Sequence, residues 1–578
     1  MEIIFTISLQ KKVADTILSL FYLFLMSVYC CKAQYTDTYI DSLFLSKNEV
    51  IFSFDEHDAS KINNLSNIIS IDYWDGNTIR AYANRQEFKQ FLTFGYSYTM
   101  QEDLQTKGQI NMTHTIDDFK RWNSYPTYPL YLELLNHYTN AFPSICKIDT
   151  IGTSVNGRLI LCCEISDNVH SDEAEPEFFY SSTIHGNEVL GYQMMLRMID
   201  TLLHGYTTDT SLQRLINSTE IYINPLANPD GTYNRNDTTV VGATRYNANF
   251  VDLNRNYPSE WSRWPIDVIQ PENQQMIDYC HSHNFVMAAN LHSGAEVLNY
   301  PWDSFRSSQR LHADDNWWIE VCQRFVNQAR DSNPLAMSAD IASGYTAGGD
   351  WYVIPNGRQD YMNYYNHTKE LTIEISTDKL VPSYLLNHYW NTMYKPFIGY
   401  ICEVHSGIRG IVTDSTGTPI AHAKITVEGR DKDSSEVLTS PLGDFYRPIE
   451  TGTYNIKVSA PGYKTLRIEN VETLYPTPTV LNIQLEHSLT NIPPHNLVTT
   501  LHATAIPNPC NEKVTIKATD NIKTATILSA DGRIIMQQYP TQLSNTSTIN
   551  TESLKPGYYL IEITCSNDRT KILPLLKQ

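Results

Sequence analysis

The chain holds 578 residues, 42% of them apolar, enough to bury more than one core and too many for a single small domain. A formal net charge of -20 without any block of Lys and Arg excludes nucleic acid as the expected partner, because such binding rests on cations that neutralise phosphates.

In chain order, the N-terminus carries Lys11 and Lys12, an apolar run from Ile17 to Cys31, and Ala33 ahead of Gln34. Residues 1–33 therefore read as a secretory signal. Its apolar core is short for a membrane span, and no later stretch offers about 18 uninterrupted apolar residues. Export to the surface or the medium follows, with no transmembrane segment in the mature chain. Of the ten cysteines, Cys30 and Cys31 fall at the signal, and the others make no zinc-knuckle or CxxC spacing. Cys162, Cys163, Cys280, Cys322 and Cys402 lie in apolar runs and are expected as buried thiols.

Residues 35–110 contain strand-like Val50 to Phe54 and Thr78 to Ala83 and a helix-like Arg85 to Phe94, a small α+β module of pro-like or accessory character. Residues 115–405 open with a helix and two strands joined around Val155-Asn156-Gly157, a hairpin signal. Glu177 to Thr183 is aromatic and hydroxyl-rich, as a strand would be, and Leu190, Met194, Met198 and Leu202 then recur as on a buried helix face. Further strands are expected at Ile221–Asn224, Phe285–Leu291 and Leu371–Ile375, and helices at Glu272–His281, Arg310–Arg330 and Tyr384–Val404. This alternation predicts an α/β fold, a mixed sheet with helices on both faces, whose chemistry collects beyond the carboxyl ends of strands. His185, His292 and Glu374 fall at or near such ends.

The period changes at His185-Gly186-Asn187-Glu188, where an imidazole and a carboxylate three residues apart can converge, and nitrogen plus oxygen ligation suits zinc. Such a pair is common in long chains, and a third ligand must come from elsewhere. Asn247 to Pro258 packs amides and an Arg into a segment without helical period, and His292 closes the Phe285–Leu291 run. Residues 407–487 change to short alternating strands, a small sandwich in which Ile425 and Val427 alternate with Lys424, Thr426 and Glu428. Residues 488–504, with Pro493 and Pro494, read as a linker, and residues 505–578 as a second all-β sandwich with a turn at Asp531-Gly532.

HGNE at His185, NPDG at Asn228, DLNRNYP at Asp252, NLHSGAEVLNYPWD at Asn290, WYVIPNGRQDYMNY at Trp351 and LTIEIS at Leu371 follow one another in a set order. In this the chain resembles the zinc carboxypeptidase family, in the branch that includes carboxypeptidases N, E and D. The resemblance covers about Thr115 to His405. It implies one Zn2+ on His185, Glu188 and His292, with Asp252 accepting the second ring proton of His185 unless it serves only as a local turn cap. It makes Glu374 the base that takes a proton from water and passes it to the leaving amine, and Arg245 the group that stabilises the oxyanion. Glu370, four residues earlier, is the competing carboxylate. Asn254 and Arg255 would grip the free terminal carboxylate and Tyr352 would close over it.

Asp303 and Gln359 match the positions that accept basic side chains in that branch, with a loop cap after Tyr300-Pro301-Trp302 as the alternative for Asp303. Arg358 departs from the pattern: turned inward it would pair with Asp303, turned outward it would be irrelevant. Residues 407–487 resemble the transthyretin-like domain of the same branch. Residues 505–578 resemble the type IX secretion sorting domain through Pro507-Asn508-Pro509, Asp531-Gly532, Gly557-Tyr558-Tyr559 and Lys571 to Lys577. These resemblances imply a secreted zinc metallocarboxypeptidase that takes Lys or Arg from peptide and protein C-termini and meets an export machinery. Broad or neutral specificity, a cell-wall peptide peptidase and an inactive surface binding protein are the alternatives.

Overall fold

The computed structural model describes residues 39–488 except 46–48, 67, 102–107, 263–265 and 267, and residues 501–578 except 502, 530–533, 539–543 and 567–568. The signal read at 1–33, most of the linker and the Asp531-Gly532 turn lie outside the described residues. Among the described residues no helix is long and apolar enough to cross a membrane.

The N-terminal module is built from β1 (Glu49–Asp55), α1 (Ala59–Leu65), β2 (Ser70–Trp74), β3 (Thr78–Asn84), α2 (Arg85–Leu92) and β4 (Tyr98–Met100). The strands form an antiparallel sheet in the order β2-β3-β1-β4. A capping box starts α2, the Asn84 side chain accepting from the Glu87 N–H while the Glu87 carboxylate accepts from the Asn84 N–H. Phe52, Phe54, Phe88 and Phe91 make its core, and the same cluster takes in Ala295, Val297, Trp351, Tyr352 and Ile354. The module therefore folds onto the next domain rather than beside it.

That domain adds α3 (Tyr128–Ala141), β5 (Cys146–Thr153), β6 (Leu159–Ile165), β7 (Glu177–Ser182), α4 (Leu190–Gly205), β8 (Glu220–Asn224), α5 (Pro271–His281), β9 (Phe285–His292), β10 (Ala295–Tyr300), α6 (Asp315–Ser332), β11 (Tyr345–Ala347), α7 (Arg358–Tyr365), β12 (Lys369–Ser376) and α8 (Leu386–Cys402). Eight strands form one mixed sheet in the order β11-β10-β12-β9-β7-β8-β6-β5. Alternation along β7 sends Phe178 and Tyr180 into a core shared with α3, α4, α6 and α8, and Phe179 into a second core with α5 and α7. The sheet is thus covered on both faces. β7, β9 and β12 run parallel and adjacent, so the turn after β7, His292 at the end of β9 and Glu374 near the end of β12 share one edge.

Two helix boundaries differ from the sequence reading. α6 begins at Asp315, not Arg310, because Arg310 and Asp314 are drawn into ion pairs with the following domain. α8 is flanked by short 3-10 turns at Ser383–Leu385 and Glu403–His405. Cys402, expected buried, is exposed at the last residue of α8, while Cys146, Cys162, Cys163, Cys280 and Cys322 are buried free thiols.

The third domain packs the sheet of β13 (Ile408–Asp414), β16 (Asp444–Arg447), β19 (Thr479–Val480) and β20 (Ile483–Leu485) against that of β14 (Lys424–Val427), β15 (Val437–Leu438), β17 (Gly452–Ser459) and β18 (Leu466–Thr473). The C-terminal unit is a separate compact body. It comprises β21 (Ala503–Ile506), β22 (Lys513–Ser529), β23 (Ile534–Gln538), β24 (Ser544–Asn550), β25 (Gly557–Cys565) and β26 (Thr570–Lys577). The long β22 pairs with β21 and β24 through its first half and with β23 and β25 through its second, which closes the two halves over one apolar core.

Candidate active site

The metal-ligand set starts at the turn after β7. Thr183 sits at φ 61, a backbone region that a β-branched residue rarely adopts, and its hydroxyl donates to the Glu188 carbonyl at 3.2 Å. The following Gly186 backs directly onto Gly231: a Cβ there would lie 2.3 Å from the Gly231 carbonyl carbon. The glycines of HGNE and NPDG thus form one contact in space. Together these features aim His185 and Glu188 at the end of β9.

His185 Nδ1 lies 3.0 Å from Glu188 Oε1, and His292 Nδ1 lies 2.8 Å from Glu188 Oε2 and 3.1 Å from His185 Nδ1. The donor atoms all fall within 4.8 Å of one another and all three residues are buried. Two imidazole nitrogens and one carboxylate so gathered, beside a cavity, are the donor set of a catalytic zinc site. Asp252 Oδ1 meets His185 Nε2 at 3.1 Å and also accepts from the Asn254 N–H at 2.9 Å, so it holds the ring and caps the turn at once. On His292 the equivalent neighbour is Asn290, whose side-chain amide is 2.8 Å from Nε2. Although burial pushes the Glu188 carboxyl up, His185, Lys379 and His292 outweigh it and hold it well below the usual range.

Glu374 stands opposite His292 in the β9–β12 register, with Oε2 buried and unpaired. Burial first and the Glu188 carboxylate second push its pKa well above the ordinary carboxylate value. Glu370 is elsewhere engaged: Arg358 Nε donates to it at 3.1 Å and Nη2 at 3.1 Å, both side chains fully buried. Arg358 is thus turned inward, but away from Asp303. Arg245 donates from Nε to Asp252 Oδ2 at 2.9 Å and lines the same cavity. Among the described residues Arg255 binds only the Asn254 carbonyl, through Nη1 at 3.0 Å, and its Nε and Nη2 have no partner there. Tyr352 is buried in the cavity wall, and the Asn254 side chain accepts from the Arg358 N–H at 2.9 Å.

Asp303 also reaches the cavity wall. Its Oδ1 accepts from Gln359 Nε2 at 2.8 Å, and Gly348 leaves the room, since a Cβ there would come within 1.8 Å of that oxygen. Among the described residues no cation pairs with it. Burial and then the Asp360 carboxylate push its pKa well above the usual value.

The N-terminal module, pro-like or accessory from its sequence, reaches this site through residues that no motif marked. Asp72 of β2 lines the cavity and pairs with Lys379 at 2.7 Å, and Lys379 in turn donates to Glu188 Oε1 at 2.7 Å. Ser70 donates to Asp252 Oδ2 at 2.6 Å. Glu49 Oε2 accepts from the Thr244 hydroxyl at 2.8 Å and the Arg245 N–H at 3.0 Å, and Arg80 Nη2 reaches the Gly294 carbonyl at 3.3 Å. The cavity left among these groups is about 20 Å³, room for about one water. No local pattern marks Asp72 or Lys379, because their meaning lies in a partner hundreds of residues away.

Comparison with known proteins gives the family. The zinc carboxypeptidase model matches residues 131–395, the carboxypeptidase regulatory-like domain model 407–486 and the secretion system C-terminal sorting domain model 504–573. The human carboxypeptidase N catalytic chain is 32% identical over 395 residues, taking in 61% of this chain and 84% of that one. The chain belongs to the zinc carboxypeptidase family. Rat carboxypeptidase D is 34% identical over 345 residues, 57% of this chain, and the chain spans only 24% of that protein's length. Among solved structures, carboxypeptidase A from Helicoverpa armigera is similar over 62% of this chain and 97% of its own, at 16% identity and TM-score 0.48. Zinc is the metal of the zinc carboxypeptidase family, and the His185, Glu188 and His292 donors fit it.

Proposed function

We propose that the chain is a secreted metallocarboxypeptidase that removes Lys or Arg from the C-termini of peptides and proteins. The observation that carries this reading is the convergence, in one buried pocket, of the His-Glu-His donors, the unpaired Glu374 carboxylate and the half-unpaired Arg255 guanidinium. Zinc held by His185, Glu188 and His292 would polarise a carbonyl and acidify water. Glu374 accepts the water's proton and returns it to the departing amine. Arg245 donates to the oxyanion that forms, and Arg255 with Asn254 receives the terminal carboxylate in a two-point grip under Tyr352. A bond inside a chain presents no such carboxylate, so one residue leaves at a time.

The basic preference rests on Asp303. It is a buried carboxylate whose side-chain partner is a neutral amide, and the guanidinium beside Gln359 is engaged by Glu370 instead. A buried carboxyl that keeps its proton for want of a cation gains most from a substrate that brings one, the cation taking the proton's place. Export is supported by the sorting-domain match over 504–573 together with the apolar run near the N-terminus. The module of residues 39–101 holds the site closed in the uncut chain, a reading supported by the Asp72, Ser70 and Glu49 contacts and by the size of the remaining cavity.

The test places a specific protease site at residues 102–107, opens the folded protein there and removes the released module. Turnover is then measured on otherwise identical peptides ending in Arg, Lys, Leu and Glu, with and without a chelator. Arg and Lys should lead, Asp303→Ala should flatten the ranking and the chelator should abolish turnover. Leu ahead of Arg would refute the basic pocket, and chelator-resistant turnover would remove the metal.

A further inference from the structure

The 407–487 sandwich meets the catalytic domain at the segment that begins with Trp302 and Asp303 and ends at Asp314. It does so twice. At the far end, buried Asp314 accepts from Arg430 Nε at 2.9 Å and Arg447 Nη2 at 2.8 Å, both from the sandwich, and pairs with Lys369 of β12. Midway, Arg310 Nε donates to Asp433 Oδ2 of the sandwich at 3.0 Å.

Both contacts lead back to one residue. The Asp314 N–H donates to His312 Nδ1 at 2.9 Å, and the His312 ring lies 4.9 Å from the Trp302 ring. The Arg310 guanidinium covers Trp261 at 4.8 Å and Phe305 at 5.0 Å, and Trp261 stands edge-on to Trp302 at 4.6 Å. Trp302, 1% exposed, is therefore held between two rings, each fixed by a group that the sandwich anchors. The next residue is Asp303.

We infer that the 407–487 domain positions the specificity pocket, acting through Asp433–Arg310 and through Arg430 and Arg447 on Asp314 to fix Trp302 and with it the Asp303 carboxylate. This rests on the reading of Asp303 given above. An apolar interface alone would keep the two domains together, whereas charge-assisted bonds fix direction as well. Pocket groups need that, because a displacement of about 1 Å at a recognition group is felt strongly in turnover. Asp433, Arg430 and Arg447 touch no reacting atom in this scheme, so they are positioning residues.

Asp433→Ala removes one arm at a partly exposed position, and Asp433→Glu keeps it. Tyr475→Ala loosens the same pair of domains elsewhere, where the Tyr475 ring lies 4.0 Å from the Arg324 guanidinium. In the full chain, hydrogen exchange of residues 302–314 should rise in Asp433→Ala and stay at the native level in Asp433→Glu and Tyr475→Ala. In the opened protein, the KM for a peptide ending in Arg should rise about tenfold in Asp433→Ala with kcat changed less than about twofold, and the Leu-ending peptide should be unaffected. Equal losses on both peptides, or native exchange with native KM, overturns the inference. Should the native protein cleave neither peptide, the carboxypeptidase reading fails, and the exchange experiment still decides whether the sandwich fixes this segment.

Discussion

Glu374 and Glu370 lie four residues apart on one strand and meet opposite fates. Glu370 is neutralised by Arg358, so its removal breaks a buried pair and leaves an uncompensated guanidinium, an effect on stability of about 3–5 kcal/mol. Glu374 has no such partner, and its raised proton affinity suits a group that must accept a proton and give it up within one cycle. Glu374→Gln should therefore keep its zinc content and its unfolding temperature while turnover in the opened protein falls by a factor of about 10² to 10⁴. Metal analysis beside kinetics makes the distinction, and full activity in that variant would remove Glu374 from the mechanism.

At the scale of elements, the masking proposed above centres on β2. Its SIDYW sequence turns Ser70 and Asp72 inward with Ile71 between them, all three buried. Asp72→Ala strands Lys379 and Arg80 without their shared carboxylate, so the uncut chain should acquire chelator-sensitive turnover on an Arg-ending peptide. An uncut Asp72→Ala, Glu49→Ala double variant as silent as the native chain would count against masking. The same strand shows where sequence reading stops. β7, β9, β12 and α4 were legible because their apolar residues repeat with the period of the element, and the site groups at their ends were legible through motif order. β2 was not, because two polar residues on its buried side spoil the alternation, and they are polar for a partner that folds in from another domain. The start of α6 failed for a related reason, since helical pattern alone does not reveal that Arg310 and Asp314 answer to Asp433, Arg430 and Arg447.

Over the whole molecule, the carboxylates gather unevenly. A cleft of about 550 Å³ between the catalytic domain and the sandwich is lined by Glu175, Glu177, Glu220 and Asp444 among others. Burial raises Glu175 and Glu220 to about 7 and Glu177 to about 8. A carboxyl group whose folded pKa is raised contributes stability that is full below its unfolded value and is lost as pH climbs through the folded one. These three groups favour a higher unfolding midpoint as pH is lowered from about 8 toward 5, against buried histidines such as His312 and His405 whose lowered pKa works the other way, so the clean expectation is the difference between variants: Glu177→Gln should raise the midpoint at pH 8 and leave it nearly unchanged at pH 5. A Glu177→Gln midpoint equal to the native one at pH 8 would contradict the assignment. The C-terminal unit, a separate body with its own core, makes a different expectation. Deleting residues from 505 onward should hold the protein short of the surface while the opened remainder stays active, and normal surface appearance would remove the sorting role.

The module's grip has a bearing on how the chain is free to vary. On the catalytic side it holds the Arg245 backbone, Asp252, Lys379 and the wall around Tyr352, groups that form or support the site itself. A cover resting on a rim can be shed by substitutions on either side of the seam. On the proposed mechanism, a change at Arg245 or Asp252 that loosened the cover would also take away a group that mechanism uses. Substitutions that release such a cover and spare the enzyme are thus confined to the stretch from Glu49 to Arg80, while each group beneath would answer to two structural demands at once.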